Sequence, residues 1–289
     1  MTRFFLFGVT FLTLFMVTFA PVSAMGINDF VAVATGPSGA IANPAGLASL
    51  DSNIVNWEHR FDGRDLAGGW DDLAVYAATG EPANGAAFWG YSQDVTTSID
   101  IYRRVSSFGY AAGWKALDHI AVGLTGKFNT AAFYSNSSGM MVRDNSSMTN
   151  LFLVDFGMLI EPSLNLKAGF VIHNLGRDEQ KQVMNYQSAI GFSYQIKPVI
   201  LAVEIDDFLN EGGSFEDEGS YLRLGCRFDI TPQLMVHLVR EESDWGFSGQ
   251  NYGIEYISKD KLNFTVARYM AQSDFFASST TQASIGYHF

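Results

Sequence analysis

Five charged residues fall on the polar faces of three segments in which apolar and polar residues alternate. Asp155 lies in "LFLVDFGMLI", Glu204 and Asp206 lie in "PVILAVEIDDF", and Arg223 and Arg227 lie in "SYLRLGCRFDI". Opposite charges on neighbouring strands can form an electrostatic constriction that selects solutes in a wet interior. They can also form cross-strand ion pairs that hold the register of the strands. The sequence favours ion pairing and leaves the constriction open.

No pattern typical of a catalytic or metal site accompanies these charges. The five histidines are scattered, and none lies at metal-binding spacing from another. The serine-rich stretches "SNSS" and "DNSS" lack the arrangement of a serine hydrolase, and no glycine-rich phosphate loop follows a strand. The stretch "DDFLNEGGSFEDEGS" does not match an EF-hand loop, so a solvated acidic loop is the preferred interpretation. We predict no enzyme, no metal and no cofactor.

The alternation that positions the charges predicts β-strands from about residue 53 onwards. Their connections alternate between short ones, such as "EPS", "KP", "TP" and "KD", and long ones, such as "NTAAFYSNSSGMMVRDNSSM" and "AQSDFFAS". Transmembrane barrels show this asymmetry, with tight periplasmic turns and longer extracellular loops. Strands of about ten residues also match the length of a tilted strand that spans a bilayer.

A count of the alternating segments predicts the size of the barrel. Segments at 53–61, 69–79, 84–94 and about 98–115, followed by those from 119 onwards, make about 14 strands. Twelve is the second choice, if the first hairpin is not part of the wall. A lipid-exposed sheet must close, because an open edge leaves backbone groups unsatisfied in hydrocarbon. The predicted fold class is therefore all-β: a closed antiparallel transmembrane β-barrel.

The N-terminus indicates export. Residues 1–24 read as a signal peptide, with Arg3 before the apolar run "FFLFGVTFLTLFMVTFA" and a small-residue cleavage site at Val22–Ala24. A transmembrane anchor is the less favoured alternative. The net charge of −12 argues against nucleic acid as a partner, and the single cysteine allows no internal disulfide. We predict a location in the outer membrane, with membrane lipid as the first partner.

The C-terminal segment "TQASIGYHF" predicts how the barrel is assembled. Ile285, Tyr287 and Phe289 share one face and end the chain on an aromatic residue. This pattern resembles the assembly signal of outer-membrane barrels, so the barrel-assembly machinery is an expected partner. An ordinary last strand of a sandwich is the alternative.

The segment "GINDFVAVATGPSGAIANPAGLASL" resembles the N-terminal segment of the FadL-type and PorV-like superfamily of outer-membrane barrels. Its residues Asn43, Pro44, Ala45, Gly46 and Leu47 match the "NPAGL" motif of that superfamily. "YAAGWKALDHIAVGLTGKF" and "VDFGMLIEPSLNLKAGFVIHNLG" resemble its strand pairs. The resemblance implies a hatch-like segment at 25–52 inside a barrel formed by 53–289. A periplasmic tail with one turn is the alternative.

The same resemblance implies passage of hydrophobic or amphipathic small molecules across the outer membrane. Apolar residues in two predicted loops are expected to form a surface that takes up such a ligand: Phe133, Tyr134, Met140, Met141, Phe275 and Phe276. Two other roles stay open. PorV-like members act as partners in protein export, and a general porin would conduct ions through an unblocked lumen.

Overall fold

The computed structural model describes most of the chain from residue 27 onwards. The described ranges are 27–63, 72–80, 84–98, 101–137, 140–176, 187–206, 221–243, 248–272 and 277–289. Within these ranges, the structure describes the backbone but not the side chains of some residues: 27, 62–63, 93–98, 101–105, 131–137, 140–150, 271–272 and 277–278. The predicted signal peptide, residues 1–24, lies outside the described residues.

Fourteen strands form one closed antiparallel barrel within the described ranges, which confirms the predicted fold class. Each strand pairs with its neighbours in sequence, and the first strand pairs with the last to close the ring. The first hairpin is therefore part of the wall, and the alternative of twelve strands is wrong. The strands are β1 (Ile54–Gly63), β2 (Asp72–Gly80), β3 (Asn84–Ser98), β4 (Ile101–Leu117), β5 (Ile120–Ser137), β6 (Met140–Ser163), β7 (Leu166–Leu175), β8 (Gln187–Ile196), β9 (Val199–Asp206), β10 (Tyr221–Thr231), β11 (Leu234–Ser243), β12 (Ser248–Ile257), β13 (Leu262–Gln272) and β14 (Ala277–His288).

The stretch predicted as the longest loop is instead mostly a strand pair. β5 extends to Ser137 and β6 starts at Met140, and their ends pair with each other. Phe133 and Tyr134 thus lie in β5, and Met140 and Met141 lie in β6. The sequence pattern predicted a loop because a hairpin that projects beyond a membrane has water on both faces, so its strands need not alternate apolar and polar residues.

The outward face of the wall is apolar. Large apolar side chains stand exposed on strands all around the barrel, including Phe88, Phe108, Leu124, Phe152, Leu201, Phe228, Leu238, Ile254 and Val266. Exposed apolar patches of this extent are unfavourable in water and favourable in hydrocarbon. The outward face therefore fits a lipid bilayer.

No helix in the described ranges is long and apolar enough to cross a membrane.

Residues 28–50, the N-terminal segment, lie inside the ring. The segment contains a short α-helix, α1 (Gly36–Gly39), and a 3₁₀ helix (Pro44–Ser49). The α-helix contacts β1 and β2, and the 3₁₀ helix contacts β3 to β6. The turn at Ile27–Asp29 contacts β10 and β11. The segment thus crosses the interior from one side of the wall to the other.

A charge on the outward face tests the membrane orientation of the wall. Leu124 of β5 is 44% exposed and has apolar Cα partners on both sides, Ala112 and Phe156. We expect Leu124→Arg to lower the free energy of unfolding by about 2–4 kcal/mol, because arginine is unfavourable in the middle of the bilayer. The measurement is equilibrium urea unfolding in phospholipid vesicles.

Leu117 provides the matched control. It is 64% exposed at the end of β4, beside the turn at Asp118–His119. Leu117→Arg should lower the free energy of unfolding by no more than about 1 kcal/mol, as expected near an interface. Equal effects of the two substitutions would contradict the orientation.

Candidate functional site

A row of glycines on the inner wall forms the seat of the N-terminal segment. The row crosses β3, β4, β5 and β6, and its members are successive Cα partners in the sheet. They are Gly85, Gly113, Gly123 and Gly157. We call these four residues the glycine row.

The glycine row admits the backbone of the segment because it carries no side chains. A Cβ atom added to Gly123 would lie 2.2 Å from the carbonyl carbon of Pro44, and one added to Gly113 would lie 2.3 Å from the Pro44 oxygen. A Cβ atom at Gly85 would lie 2.1 Å from the oxygen of Leu47. No side chain fits at these separations, so the close approach requires glycine.

Asn43 connects the segment to itself and to the wall. It is fully buried at the N-cap of the 3₁₀ helix, where its Oδ1 accepts a hydrogen bond from the N–H of Ala45 at 3.1 Å. Its Nδ2 donates to the oxygen of Val31 at 2.7 Å and to that of Met158 at 3.2 Å. The cap satisfies a backbone donor that a helix start leaves unpaired. One side chain thus fixes the helix, the start of the segment and β6 together.

A buried charge cluster lies on the wall at β9, β10 and β11. Glu204, Arg223 and Glu241 are direct Cα partners on these three strands, and we call them the charge row. Arg223 donates from Nη1 to Glu204, and from Nε to Glu241 Oε1 at 3.1 Å. Asp206 Oδ2 lies 3.5 Å from the same Nη1, and the Tyr269 hydroxyl donates to Glu241 Oε2 at 2.9 Å. One guanidinium therefore faces three carboxylates, as buried charges require partners.

The charge row also contacts the start of the segment. The ring of Phe30 lies over the Arg223 guanidinium, whose carbon is 4.6 Å from the ring centroid. The N–H of Val31 donates to Glu204 Oε2. Gly169 on β7 is linked to Glu204 through its Cα partner Gly191 on β8. A Cβ atom added to Gly169 would lie 2.2 Å from the Val31 oxygen. Charge, ring and backbone together hold the first residues of the segment.

Arg227 makes a second contact with this part of the segment. Its Nη1 donates to Asn28 Oδ1 at 3.3 Å, and its Nε donates to Asp229 Oδ1 at 3.1 Å. The Asn28 amide nitrogen in turn donates to Glu255 Oε2 at 3.3 Å. Arg227 thus faces the interior and the segment, four residues after Arg223 along β10.

Asp155 belongs to a different contact group, at a β-bulge between β6 and β7. The pairing shifts there so that His173 and Asn174 both oppose it. Asp155 accepts from the N–H of Asn174 at 2.8 Å, and its carboxylate lies 2.8 Å from Lys127 Nζ and 3.3 Å from His173 Nδ1. Asn174 has a φ of 63°, in the left-handed region, and its hydrogen bond to Asp155 helps to hold the backbone of the bulge in this conformation. The carboxylate stabilises an irregular wall.

The structure brings some of the predicted site residues together and leaves others apart. Glu204, Asp206 and Arg223 form one cluster, and the "NPAGL" residues are buried together in the 3₁₀ helix and its N-cap. Side chains of four residues of the expected loop surface are outside the description, and Phe275 and Phe276 lie outside the described residues altogether. The C-terminal residues face outward and are exposed: Ile285, Tyr287 and Phe289.

The glycine row and Phe30 were missed by the sequence analysis. Glycines at the inward positions of consecutive strands are a signal that was available, because alternation assigns a face to every residue. Glu241 and Tyr269 were also missed. Their part in the cluster depends on strand register, which the sequence does not state directly.

Within the described ranges, no group of three or more His, Cys, Asp or Glu side chains is arranged to hold a metal ion.

Solved structures provide the comparison with known proteins. No protein-family model matches the sequence, and no curated protein matches it. The CymD monoaromatic hydrocarbon channel is 10% identical, with a TM-score of 0.69 over 93% of this chain and 96% of that one. The Ralstonia pickettii toluene transporter TbuX is 11% identical, with a TM-score of 0.65 over 93% and 97%. A Pseudomonas aeruginosa FadL homologue is 13% identical, with a TM-score of 0.60 over 94% and 98%.

These similarities confirm the resemblance at the level of the fold: the chain has the fold of a FadL-type outer-membrane barrel. The fold and the apolar outward face indicate a location in the outer membrane. The three similar structures are described as a channel, a transporter and a FadL homologue rather than as enzymes.

A methyl group in the glycine row tests whether the segment is seated there. Gly123→Ala should displace Pro44, because no Cβ atom fits 2.2 Å from its carbonyl carbon. We expect the backbone amides of Gly46 and Leu50 to exchange at least about tenfold faster by hydrogen–deuterium exchange, as local opening predicts. Gly126→Ala on the same strand is the control, since its nearest atom would be 3.4 Å away, on Phe152. Unchanged exchange in Gly123→Ala would contradict the seat.

Removal of Arg223 tests the charge row. Arg223→Leu leaves Glu204 and Glu241 buried without their cation, so the free energy of unfolding should fall by about 3–5 kcal/mol. Arg240→Leu is the matched control on the next strand, because Arg240 and its partner Glu242 are both more than half exposed. That substitution should lower the free energy of unfolding by less than Arg223→Leu does, because Arg240 is paired with one carboxylate, whereas Arg223 faces three. Equal losses in urea unfolding would show that the buried cluster is not stabilising.

Proposed function

We propose that this protein passes hydrophobic or amphipathic small molecules across the outer membrane and that its N-terminal segment is a hatch. The observation that carries the proposal is the match of 93% of the chain to a hydrocarbon channel, combined with a segment that crosses the interior. CymD is described as a monoaromatic hydrocarbon channel and TbuX as a toluene transporter. Small apolar molecules are thus the preferred ligand class for this chain.

The way in which the segment is attached supports a hatch that can move. At one end it rests on glycines, where the contact is close but made without side chains of the wall. At the other end it is held by Phe30 on Arg223 and by Val31 on Glu204. Both of these contacts use side chains of the wall and leave the strand ladder intact. The hatch can therefore leave its position while the barrel stays closed.

The interior also supports a hydrophobic cargo over a dissolved ion. The part of the segment near β2 and β3 packs with apolar wall residues, including Leu73, Val75 and Trp89. A general porin needs a continuous wet lumen, whereas here buried residues of the segment meet the wall on opposite sides. This arrangement favours gated passage of apolar molecules.

The uptake surface is a further part of the proposal. Four of its six residues lie near the shared end of β5 and β6, where these strands pair with each other and β4 pairs with Phe133 and Tyr134. We propose that these four, together with Phe275 and Phe276, collect ligand before it passes the hatch. The barrel-assembly machinery is the proposed partner of the C-terminal residues, and residues 1–24 are the proposed export signal.

Replacement of the uptake surface tests this function. Cells of a Gram-negative host without its own transporters should accumulate radiolabelled toluene faster when they produce the intact protein. Replacement of all six residues by Ser should reduce the rate at least about fivefold, since a few contacts of roughly 1 kcal/mol in total account for such a factor. Replacement of the same six by Leu keeps the apolar surface and should keep the rate.

The outcomes of this experiment separate the two parts of the proposal. If the Ser variant transports as well as the Leu variant, the uptake surface is wrong but transport stands. If the intact protein does not exceed empty cells, transport itself is wrong. Steady ion conductance of the intact protein in planar bilayers would then favour a porin, and a co-purified polypeptide would favour a partner in protein export.

A further inference from the structure

The apolar row on the outward face is interrupted on β13 and is shorter on β14 than on β6. On β6 five successive outward positions are apolar: Phe152, Val154, Phe156, Met158 and Ile160. On β13 the outward residues Phe264 and Val266 are followed by Arg268, which is exposed, and then by Met270, whose sulfur accepts a hydrogen bond from the outward Tyr252. On β14, Ala283 is followed by Thr281 and Ser279 in the same direction. A polar patch therefore stands on the outward face of β13 and β14, whereas β6 carries an unbroken apolar row.

Arg268 is the centre of this patch. Its Cα partners are Tyr252 on β12 and Thr281 on β14, and its Nη2 donates to the Ser279 hydroxyl at 3.4 Å. Within the described ranges, this hydroxyl is its one hydrogen-bond or ion-pair partner. Arg240 on the same outward face differs, because both Nε and Nη2 donate to the carboxylate of Glu242.

The position of Arg268 along β13 favours an anionic partner. It lies six residues after Leu262, the first residue of the strand at the short turn of β12 and β13. With a rise of about 3.3 Å per residue and a tilt of about 40°, this places its Cα about 15 Å above that end. The apolar band of such barrels is about 25 Å tall. A guanidinium at this level is unfavourable unless an anion or a lipid headgroup reaches it.

We propose that Arg268 and the hydroxyls of Ser279 and Thr281 bind a phosphate group of a phosphorylated glycolipid in the outer leaflet. The planar guanidinium can donate two parallel hydrogen bonds to phosphate oxygens, and the hydroxyls supply further donors. Val266 and Ile254 lie two residues nearer the periplasmic end on β13 and β12, where they offer apolar contact to acyl chains. The site faces the outer leaflet because the long connections lie at this end of the strands.

Native mass spectrometry of the full barrel tests the site. The probes are an acylated glucosamine disaccharide with two phosphates and the same lipid without phosphate. The intact protein should retain the phosphorylated form at least about tenfold more. Arg268→Gln should reduce retention to the level of the phosphate-free lipid. Arg240→Gln, which removes a paired arginine from the same face, should retain the lipid as the intact protein does.

Three results would overturn the proposal. Equal retention of the two lipids by the intact protein would show that phosphate is not recognised. Unchanged retention in Arg268→Gln, with folding verified by heat-dependent gel mobility, would place the lipid elsewhere. Equal retention of phosphatidylglycerol would show a general affinity for anionic lipids rather than a site for the outer-leaflet glycolipid. The result does not depend on the proposed transport function, because the site lies outside the barrel.

Discussion

A strand surrounded by hydrocarbon can pair its backbone N–H and C=O groups only with neighbouring strands, and this requirement forces the sheet to close. Here the ring closes between β1 and β14, and the N–H of the terminal Phe289 donates to the oxygen of Asn53 at 3.0 Å. A ring of fourteen strands encloses more space than its own inward side chains can fill. The N-terminal segment, which lies inside this ring, follows from that geometry. Closure thus determines both the outward apolar face and the need for a filled interior.

The inner wall is built differently on its two sides, and the segment matches both. On β3 to β6 the glycine row brings the segment backbone close to the strands, so shape provides the contact. On β9 to β11 the charge row offers carboxylates, one of which accepts from a backbone N–H of the segment. A segment with short helices leaves some backbone N–H groups without partners inside the segment. On the side of the wall without the glycine row, these groups need acceptors such as the carboxylates. Close packing at the glycine row and hydrogen bonding at the charge row thus each allow the backbone of the segment to be buried against the wall.

Alternation was sufficient to predict the barrel, because each wall strand has one face toward lipid. It failed at the extended ends of β5 and β6, where the backbone still pairs but both faces lack a lipid neighbour. The charged residues Glu204 and Arg223 were placed on the polar faces of consecutive strands. Their direct opposition depends on the register across a long connection, and the role of Glu241 depends on the register of the next hairpin. Phe30 could not be foreseen, since its contact with Arg223 joins distant parts of the chain.

The hydrogen bonds described between segment and wall are compatible with the proposed movement of the hatch. Val31, Asn28 and Ala32 bond to side chains of the wall: Glu204, Arg227, Glu255 and Ser193. Asn43 bonds to a wall carbonyl, that of Met158, and a carbonyl oxygen can accept two hydrogen bonds. None of these contacts takes a ladder N–H, so their loss leaves the pairing of the strands complete. The requirement that closes the ring is therefore met independently of the segment, and displacement of the segment exposes side chains to the lumen rather than backbone to lipid.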